Sequence, residues 1–577
     1  TRRDHDRSMA WRGRFAALLL LVALFSSRAV EGGDAPQDPA AVEKQLAEKD
    51  TRIAELEREL RVVGGAHAGG RSRGGASLRA EATLEERVKA LEKTVSSVNV
   101  TSMDEQVAHL LRHVDPEYDS GSIAWLNTAS TLVFMMTIPG LALFYGGLVR
   151  LQNVLSIVMQ SFSIACLITV LWISFGYSLC FSPGSAVFGD WRKFWLLGVT
   201  MDTRHESMPN VPEPIFVMYE LTFAIITPAL ISGSFADRMR LGPMLVFIGL
   251  WHILVYCPIT HSMWGPGGFL LSAGILDFAG GNVVHIAAGI SGLMSSIVVG
   301  KRTGYGKEGA TFHPHNILLS VLGASLLWVG WIGFNGGSAG GSNKLSTVAI
   351  LNTNVSAATA SLSWMFTEWA LRKRPSVLGI ISGAIAGLVT ITPGAGYVDT
   401  TGAFIFGLLA GPVCYFAAQL KHWFGFDDAL DAFGIHAPAG VLGGVLTGFF
   451  ATETVTGEGS GIRGIFYGDD GMQLVRQLYG IGVSIAWSSV VTLILLKGVD
   501  ATMGLRVAVE DELIGLDMAV HGTTMAPSWW DSEAAKMLDT SHKSRMSGRG
   551  SMELMSSRDG TEDRRASSAV GGGGGGM

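Results

Sequence analysis

Long apolar segments, separated by short polar ones, fill the chain from residue 122 to residue 502. Eleven of them have about the 20 residues that an α-helix needs to cross the hydrocarbon core of a bilayer. Because a helix satisfies its own backbone hydrogen bonds in lipid, this pattern predicts an all-α polytopic membrane protein with eleven transmembrane helices. The predicted spans are 123–148, 152–178, 215–236, 241–262, 276–299, 315–335, 345–371, 376–393, 401–421, 434–453 and 475–500.

Basic residues are distributed unevenly between the loops that join these spans. The loops after spans one, three, five, seven and nine are short and basic, whereas those after spans four and eight contain no Lys or Arg. Since short cytoplasmic loops carry an excess of Lys and Arg, we predict an outside amino terminus and a cytoplasmic carboxyl terminus. The basic residues are Arg150, Arg238, Arg240, Lys301, Arg302, Lys307, Arg372, Lys373, Arg374 and Lys421.

The regions outside the spans are polar and differ in composition from one another. Residues 1–31 contain an apolar stretch after two arginines, which predicts a cleaved signal peptide, with a signal anchor as the alternative. Residues 32–121 show heptad-like spacing and predict an extracellular coiled-coil extension, with a lone charged helix as the alternative. Asn99 begins a glycosylation sequon within that extension. Residues 531–577 are rich in Ser, Arg and Gly, and we predict that they are disordered.

The composition narrows the class of function. The chain is 48% hydrophobic and 16% charged, whereas soluble domains carry about 25% charged residues, so a soluble enzyme is excluded. A net charge of -6 gives no reason to expect a nucleic-acid partner. The four cysteines have no metal-binding spacing, and no nucleophile–base set or nucleotide-binding loop is recognisable. We therefore predict neither a cofactor, nor a metal, nor an enzymatic activity.

An internal repeat places ionisable side chains inside two of the spans. Asp277 precedes His285 by eight residues in span five, and Asp428 precedes His436 by eight residues in span ten. Spans five and ten occupy equivalent places in two halves of five spans, which predicts an inverted repeat with one extra span. Such repeats build transport sites at the bilayer midplane, and ionisable residues within spans usually serve function. The alternative is two core histidines with ordinary structural roles.

Several segments resemble those of the ammonium transporter family (Amt/Mep, with the Rh proteins as relatives). The resemblance extends over roughly residues 122–525 and follows the family's order. It implies an ammonium transporter that is a homotrimer with a separate pore in each subunit. The motifs are LTFAIITPALISGSFADRMR, DFAGGNVVHIAAG, GWIGFNGGSAG, ITPGAGY and FGIHAPAG.

The resemblance implies roles for residues along a pore. His285 and His436 match the family's twin pore histidines. Phe223 and Phe334 match a stacked phenylalanine gate at the outer pore mouth. Two imidazoles that share one hydrogen bond can accept a hydrogen bond from ammonia and also donate one to it.

The resemblance also implies a recruitment site outside the gate. Trp264, Ser338 and Phe223 match the residues of this site. They suit an ammonium ion, because aromatic faces attract a cation and a hydroxyl oxygen accepts hydrogen bonds from its N–H groups. Asp277 matches a supporting carboxylate, and it is also suited to capping span five. Glu220 stands where the family commonly has glutamine, and it either attracts cations or stays protonated.

Residues 503–530 are predicted to form a cytosolic regulatory tail, since residues 504–522 resemble the family's regulatory segment. Gly515 and Asp517 match that segment, but Ala519 occupies the place of a threonine whose phosphorylation switches off plant-type relatives. The regulators that bind such a tail are not identified by the sequence.

Charge determines what can cross an apolar pore. An unpaired ion is very costly there, whereas neutral ammonia costs far less, so we predict that ammonium loses its proton before crossing. The same residues leave two alternatives open: an ammonium sensor that signals through its tail, and an Rh-like channel for neutral ammonia or carbon dioxide. We predict an integral protein of the plasma membrane, with an intracellular membrane as the alternative.

Overall fold

The computed structural model describes residues 118–307, 312–523 and 525. The predicted signal peptide, the sequon at Asn99, nearly all of the predicted coiled-coil extension and the tail 531–577 lie outside these residues.

Helices joined by loops make up most of the described residues, which contain no β-strand beyond isolated bridges. Two short helices, α12 (Val509–Ile514) and α13 (Leu516–His521), lie at the carboxyl end, and single helical turns occur in loops at Phe194–Leu196, Glu453–Thr456 and Ile465–Tyr467. The long helices are α1 (Ser120–Leu148), α2 (Leu151–Phe181), α3 (Glu213–Phe235), α4 (Leu241–Ser272), α5 (Gly281–Val299), α6 (Ile317–Gly337), α7 (Lys344–Arg372), α8 (Val377–Ile391), α9 (Thr400–Phe424), α10 (Ala432–Phe450) and α11 (Met472–Met503).

In the described part of the chain, nine helices are long and apolar enough to cross a membrane. The two others are α7, which has 29 residues but many Ser, Thr and Asn side chains, and α8, which has only 15 residues. The prediction of an all-helical membrane protein is therefore confirmed, while the count of eleven spans stays a prediction. Span five was placed too early, because α5 begins at Gly281 and the residues before it form its cap.

Small residues let α5 and α10 pack closely where they cross. A Cβ atom added to Gly289 would lie 2.4 Å from the backbone nitrogen of Ala437. One added to Gly440 would lie 2.9 Å from the side chain of Ile286. Since interhelical packing in membranes depends on such close approach of backbones, these glycines bring together the two helices that carry the histidines.

A buried ion network connects the loops at one end of the bundle. The Arg302 guanidinium donates to both carboxylate oxygens of Asp427 at 2.9 Å, and it lies 3.4 Å from Asp237. Asp237 also lies 3.5 Å from Arg150. Burial alone would raise the pKa of Asp427, but the hydrogen bonds and charge of Arg302 outweigh it and hold that pKa below its ordinary value. The loops after α1, α3, α5 and α9 are thereby linked.

Replacing Asp427 with Asn should lower the free energy of unfolding by about 3 kcal/mol, because a buried Arg302 loses its counter-ion. The lowered pKa of Asp427 means that the wild-type protein loses this contribution as the pH falls through that pKa, and the variant has none to lose. Denaturant titration in mild detergent measures both effects.

The matched control is Arg463→Gln, which breaks an ion pair of Glu453 with an arginine side chain that is 52% exposed. Such a pair contributes roughly 1 kcal/mol or less. Equal destabilisation by the two substitutions would contradict a structural role for the buried network.

Candidate functional site

Two buried histidines face each other where α5 and α10 cross. The Nδ1 atoms of His285 and His436 are 3.3 Å apart, and the ring centroids are 5.4 Å apart with an interplanar angle of 17°. Only 1% of His285 and 5% of His436 is exposed. Two nitrogens at this distance share one hydrogen bond, with the donor set by the tautomers. The residues of the internal repeat therefore meet, as the repeat predicted.

The start of α5 holds His285 in place. The Asp277 carboxylate accepts hydrogen bonds from four successive backbone N–H groups, those of residues 280–283, at 2.5–3.3 Å. Gly280, in the left-handed region with φ of 108°, permits the tight turn that this requires. The first turn, Gly281–Ile286, is π-helical and contains His285. The Asp277 side chain, three residues before the N-cap residue Gly280, thus caps the amino terminus of the histidine helix.

Asp428 has the corresponding place before α10. Its Oδ2 atom accepts from the backbone N–H groups of Phe433 and Gly434 at 2.9 and 3.2 Å. Both aspartates of the repeat therefore accept hydrogen bonds from the helix that carries the histidine eight residues later. Equivalent caps set equivalent starting points, which explains why the two histidines reach the same level.

Aromatic rings continue from the histidines in a file that we call the ring stack: Trp264, Phe223, Phe334, His285 and His436. The Phe223 and Phe334 centroids are 4.3 Å apart, and Phe334 lies 6.1 Å from His285. Trp264 meets Phe223 edge-on, with centroids 5.9 Å apart and an interplanar angle of 89°. Five helices supply one ring each, and they are α3, α4, α5, α6 and α10.

Hydrogen bonds fix Trp264 within the ring stack and hold Ser338 beside it. The Trp264 indole N–H donates to the backbone carbonyl of Asp277 at 2.8 Å, which fixes the ring beside the α5 cap. The Ser338 hydroxyl donates to the carbonyl of Phe334 at 2.9 Å and lies 3.2 Å from the Tyr219 hydroxyl. Ser338 thus stands at the Phe223–Phe334 pair through shared partners, and its own side chain is half-buried.

Two residues at the ring stack were not singled out from the sequence. Trp331 stacks on His285 with centroids 5.4 Å apart. Tyr219 donates to the carbonyl of Phe334 at 2.6 Å, and its ring lies 5.1 Å from Phe223. A signal existed for both, since each lies three or four residues before a predicted gate phenylalanine and therefore on the same helix face.

The ring stack is apolar and short of hydrogen-bond partners. The Nε2 atom of His285 is buried and has no hydrogen-bond partner in the described structure. The ion pairs found among the described residues lie elsewhere, as with Lys421 and Asp431 at 2.6 Å. No group of three or more His, Cys, Asp or Glu among those same residues is placed to hold a metal ion. Such an environment suits a small neutral molecule with hydrogen-bonding capacity.

The predicted tail residues contact the start of α2. The Asp517 carboxylate accepts from the backbone N–H groups of Leu155 and Ser156 at 3.0 and 2.7 Å. Gly515 has φ of 106°, and an added Cβ would lie 2.4 Å from the Gln152 side chain. A glycine is therefore required there for α13 to approach α2.

A buried file of rings inside a bundle of membrane-length helices is typical of a membrane channel or transporter. Comparison with known proteins specifies the class further. A sequence profile described as Ammonium Transporter Family matches residues 124–526. The chain belongs to this family.

Individual relatives agree with the profile. An ammonium transporter of Bacillus subtilis is 44% identical over 403 residues, which cover 70% of this chain and 97% of the relative. Ammonium transporter 1 of Dictyostelium discoideum is 35% identical and is matched over 93% of its length by 76% of this chain. The crystal structure of Candida albicans Mep2 is 38% identical, with a TM-score of 0.65 over 68% of this chain and 88% of that one.

Family membership confirms two predictions made from the sequence. The protein is an integral membrane protein with several membrane-spanning helices. It belongs among transport proteins rather than enzymes. The ring stack contains every predicted pore and gate residue, and Ser338 and Asp277 adjoin it.

Replacing Asp277 with Ala should lower the free energy of unfolding by about 2 kcal/mol or more, because four buried N–H groups lose their acceptor. The control is Asp119→Ala, which removes an exposed cap of α1 that accepts from Gly121 and Ser122. A cap of that kind contributes roughly 1 kcal/mol. Denaturation in detergent compares them, and a smaller loss for Asp277 than for Asp119 would contradict the capping role.

Proposed function

We propose that this chain transports ammonium across a membrane through a pore that contains the ring stack. Ammonium is recruited at the outer aromatic residues, loses its proton at the Phe223–Phe334 gate, and crosses the histidine pair as ammonia. The proton either returns to the outside or is relayed by the histidines. The observation that carries this proposal is the 3.3 Å contact between His285 Nδ1 and His436 Nδ1 at the inner end of the ring stack.

The chemistry of the pore favours ammonia over every alkali cation. A bare ion that enters an apolar, nearly dry passage loses its hydration and gains no counter-ion, at a cost of many kcal/mol. Ammonium escapes this cost by giving up a proton, which potassium cannot do. Paired imidazoles then offer ammonia one donor and one acceptor, which replaces part of its lost hydration.

The recruitment site is suited to the charged form of the cargo. Trp264 and Phe223 present aromatic faces, and each such contact with a cation contributes about 0.5–2 kcal/mol. Ser338 supplies a hydroxyl oxygen that accepts an N–H group. Because potassium has a similar size and the same charge, this site concentrates cations and leaves selection to the histidine pair beyond the gate.

We further propose that all eleven long helices cross the bilayer as an inverted repeat of five and five with one more. The amino terminus is then outside and the carboxyl terminus cytoplasmic, since Arg150, Arg238 and Arg302 lie in loops on one side. In the resembling family the protein is a homotrimer with a pore in each subunit, and we propose the same assembly here. The plasma membrane is its proposed location.

The tail is proposed to regulate transport from the cytoplasmic side. Asp517 bonds to the first turn of α2, and Glu512 accepts from the backbone N–H of Thr303 and pairs with Arg506 at 2.8 Å. Release of these contacts would free the loop after α5, the helix that carries His285.

A sensor function is the second candidate. A solved structure titled "Sensor Amt Protein" is 27% identical, with a TM-score of 0.63 over 69% of this chain and 97% of that one. The same fold therefore serves a protein whose name describes sensing. Rapid uptake of ammonium would favour transport here, whereas ammonium-dependent recruitment of a partner by the tail, with little uptake, would favour sensing.

Replacing His285 or His436 with Ala should lower the ratio of ammonium to potassium current by about tenfold, a loss of roughly 1.4 kcal/mol of discrimination. The reason is that the passage then lacks the paired donor and acceptor that distinguish ammonia from an ion. Currents induced by each cation in voltage-clamped cells measure this ratio.

His313→Ala is the matched control, because His313 lies exposed in the loop before α6. That variant should behave as the wild-type protein does. Unchanged current and selectivity in both pore variants would remove the proposed role of the histidine pair.

A further inference from the structure

Glu220 is a buried carboxyl group on the gate helix α3. Only 7% of the residue is exposed, and its Oε2 atom is enclosed without a hydrogen-bond partner among the described residues. Glu220 lies three residues before Phe223, so the two side chains leave the same helix face with Cβ atoms about 5–6 Å apart. It also follows Tyr219, which bonds to both Phe334 and Ser338. The carboxyl group thus lies about one helical turn from the gate phenylalanine, toward the end of α3 that is opposite the ion network.

The titratable side chains around Glu220 provide no positive charge. They are Tyr177 and Cys180 from α2, Tyr256 from α4, and Tyr219 on its own helix. Phenols and thiols of ordinary acidity are uncharged at neutral pH. No ion pair with Glu220 occurs within the described ranges. A negative charge at this position would therefore have no compensating partner.

Other buried carboxylates in the described part of the chain are compensated, which makes Glu220 an exception among them. Asp277 accepts four backbone N–H groups, and Asp427 is bound by Arg302. Glu213, two turns away on α3, pairs with Lys193 and accepts from the Tyr177 hydroxyl at 2.5 Å. Because an isolated buried carboxylate is very costly, Glu220 needs either a proton or a cation from outside the protein.

We propose that Glu220 exchanges its proton for the ammonium cation that enters the pore mouth. The carboxyl O–H bond breaks, the proton leaves to the outer solution, and ammonium becomes the counter-ion of the carboxylate. Charge is conserved, since one cation enters as one proton leaves. This inference rests on the proposed function and adds to it a binding residue whose occupancy is set by competition between protons and ammonium.

Competition between protons and ammonium determines the direction in which ammonium affinity changes with the outer pH. Acid favours the protonated carboxyl group, so ammonium binding requires more ammonium as the outer pH falls. In the acidic range the ammonium concentration itself does not change with pH, so a change in the half-saturating concentration reports the binding site. An amide at this position cannot exchange a proton. The affinity of the Glu220→Gln protein for ammonium should therefore be independent of pH.

The experiment measures ammonium-induced currents of the full chain in voltage-clamped cells at several acidic outer pH values. For the wild-type protein, the half-saturating ammonium concentration should rise as the pH falls. For Glu220→Gln, it should be about tenfold higher near neutral pH and should not change with pH. Glu220→Asp should keep the pH dependence with weaker affinity.

The control is Glu458→Gln, a change of the same kind at an exposed carboxyl group in the loop before α11, and it should match the wild-type protein. Wild-type affinity and pH dependence in Glu220→Gln would overturn the exchange and leave the proposed transport intact. Absence of both ammonium current and uptake of labelled methylammonium in the wild-type protein, at confirmed surface abundance, would overturn both.

A second measurement does not depend on the folding of the Gln variant. Infrared difference spectra of the purified wild-type protein, recorded on adding ammonium chloride, should show loss of a protonated carboxyl band and gain of a carboxylate band. Glu220→Asp should shift the frequency of both bands. A spectrum without loss of a carboxyl band would overturn the exchange.

Discussion

The cost of an unpaired charge in an apolar interior is the constraint on which this structure depends. Buried carboxylates of the protein have compensating partners. Asp277 accepts hydrogen bonds from four backbone N–H groups, and Asp427 is paired with the guanidinium group of Arg302. A bundle of membrane helices contains little water that could hydrate further buried charges. In the proposed mechanism the same constraint acts on the cargo, because rings and two imidazoles offer nothing that neutralises a cation. The structure and the proposed selectivity thus follow from one energetic term.

The histidine pair depends on local features that are modest when taken singly. Asp277 and Asp428 fix the starts of α5 and α10, and Gly289 and Gly440 remove the side chains that would keep the two helices apart. Each feature occurs in both halves of the repeat, so the two imidazoles occupy equivalent positions on α5 and α10 where these helices cross. The 3.3 Å contact between the two Nδ1 atoms therefore depends on both caps and on both close glycine contacts.

Much of the fold could be predicted from the sequence because hydropathy reports directly on burial in lipid. Helix boundaries came within a few residues except where a cap or a turn intervened, as before Gly281 and after residue 262. The meeting of His285 and His436 followed from the eight-residue spacing in equivalent spans. The neighbours of the pair did not follow, since stacking of Trp331 on His285 depends on helix rotation, which hydropathy leaves undetermined. The lack of a partner for Glu220 Oε2 among the described residues likewise depends on packing, which the sequence does not specify.

The central claim is that no bare cation passes the ring stack. The most direct test places the purified protein in sealed vesicles and measures the uptake of labelled methylammonium and of rubidium from the same preparation. The account predicts uptake of methylammonium, which can give up a proton, without uptake of rubidium, which has none to give. Rubidium uptake at a comparable rate, abolished in vesicles that lack the protein, would contradict it.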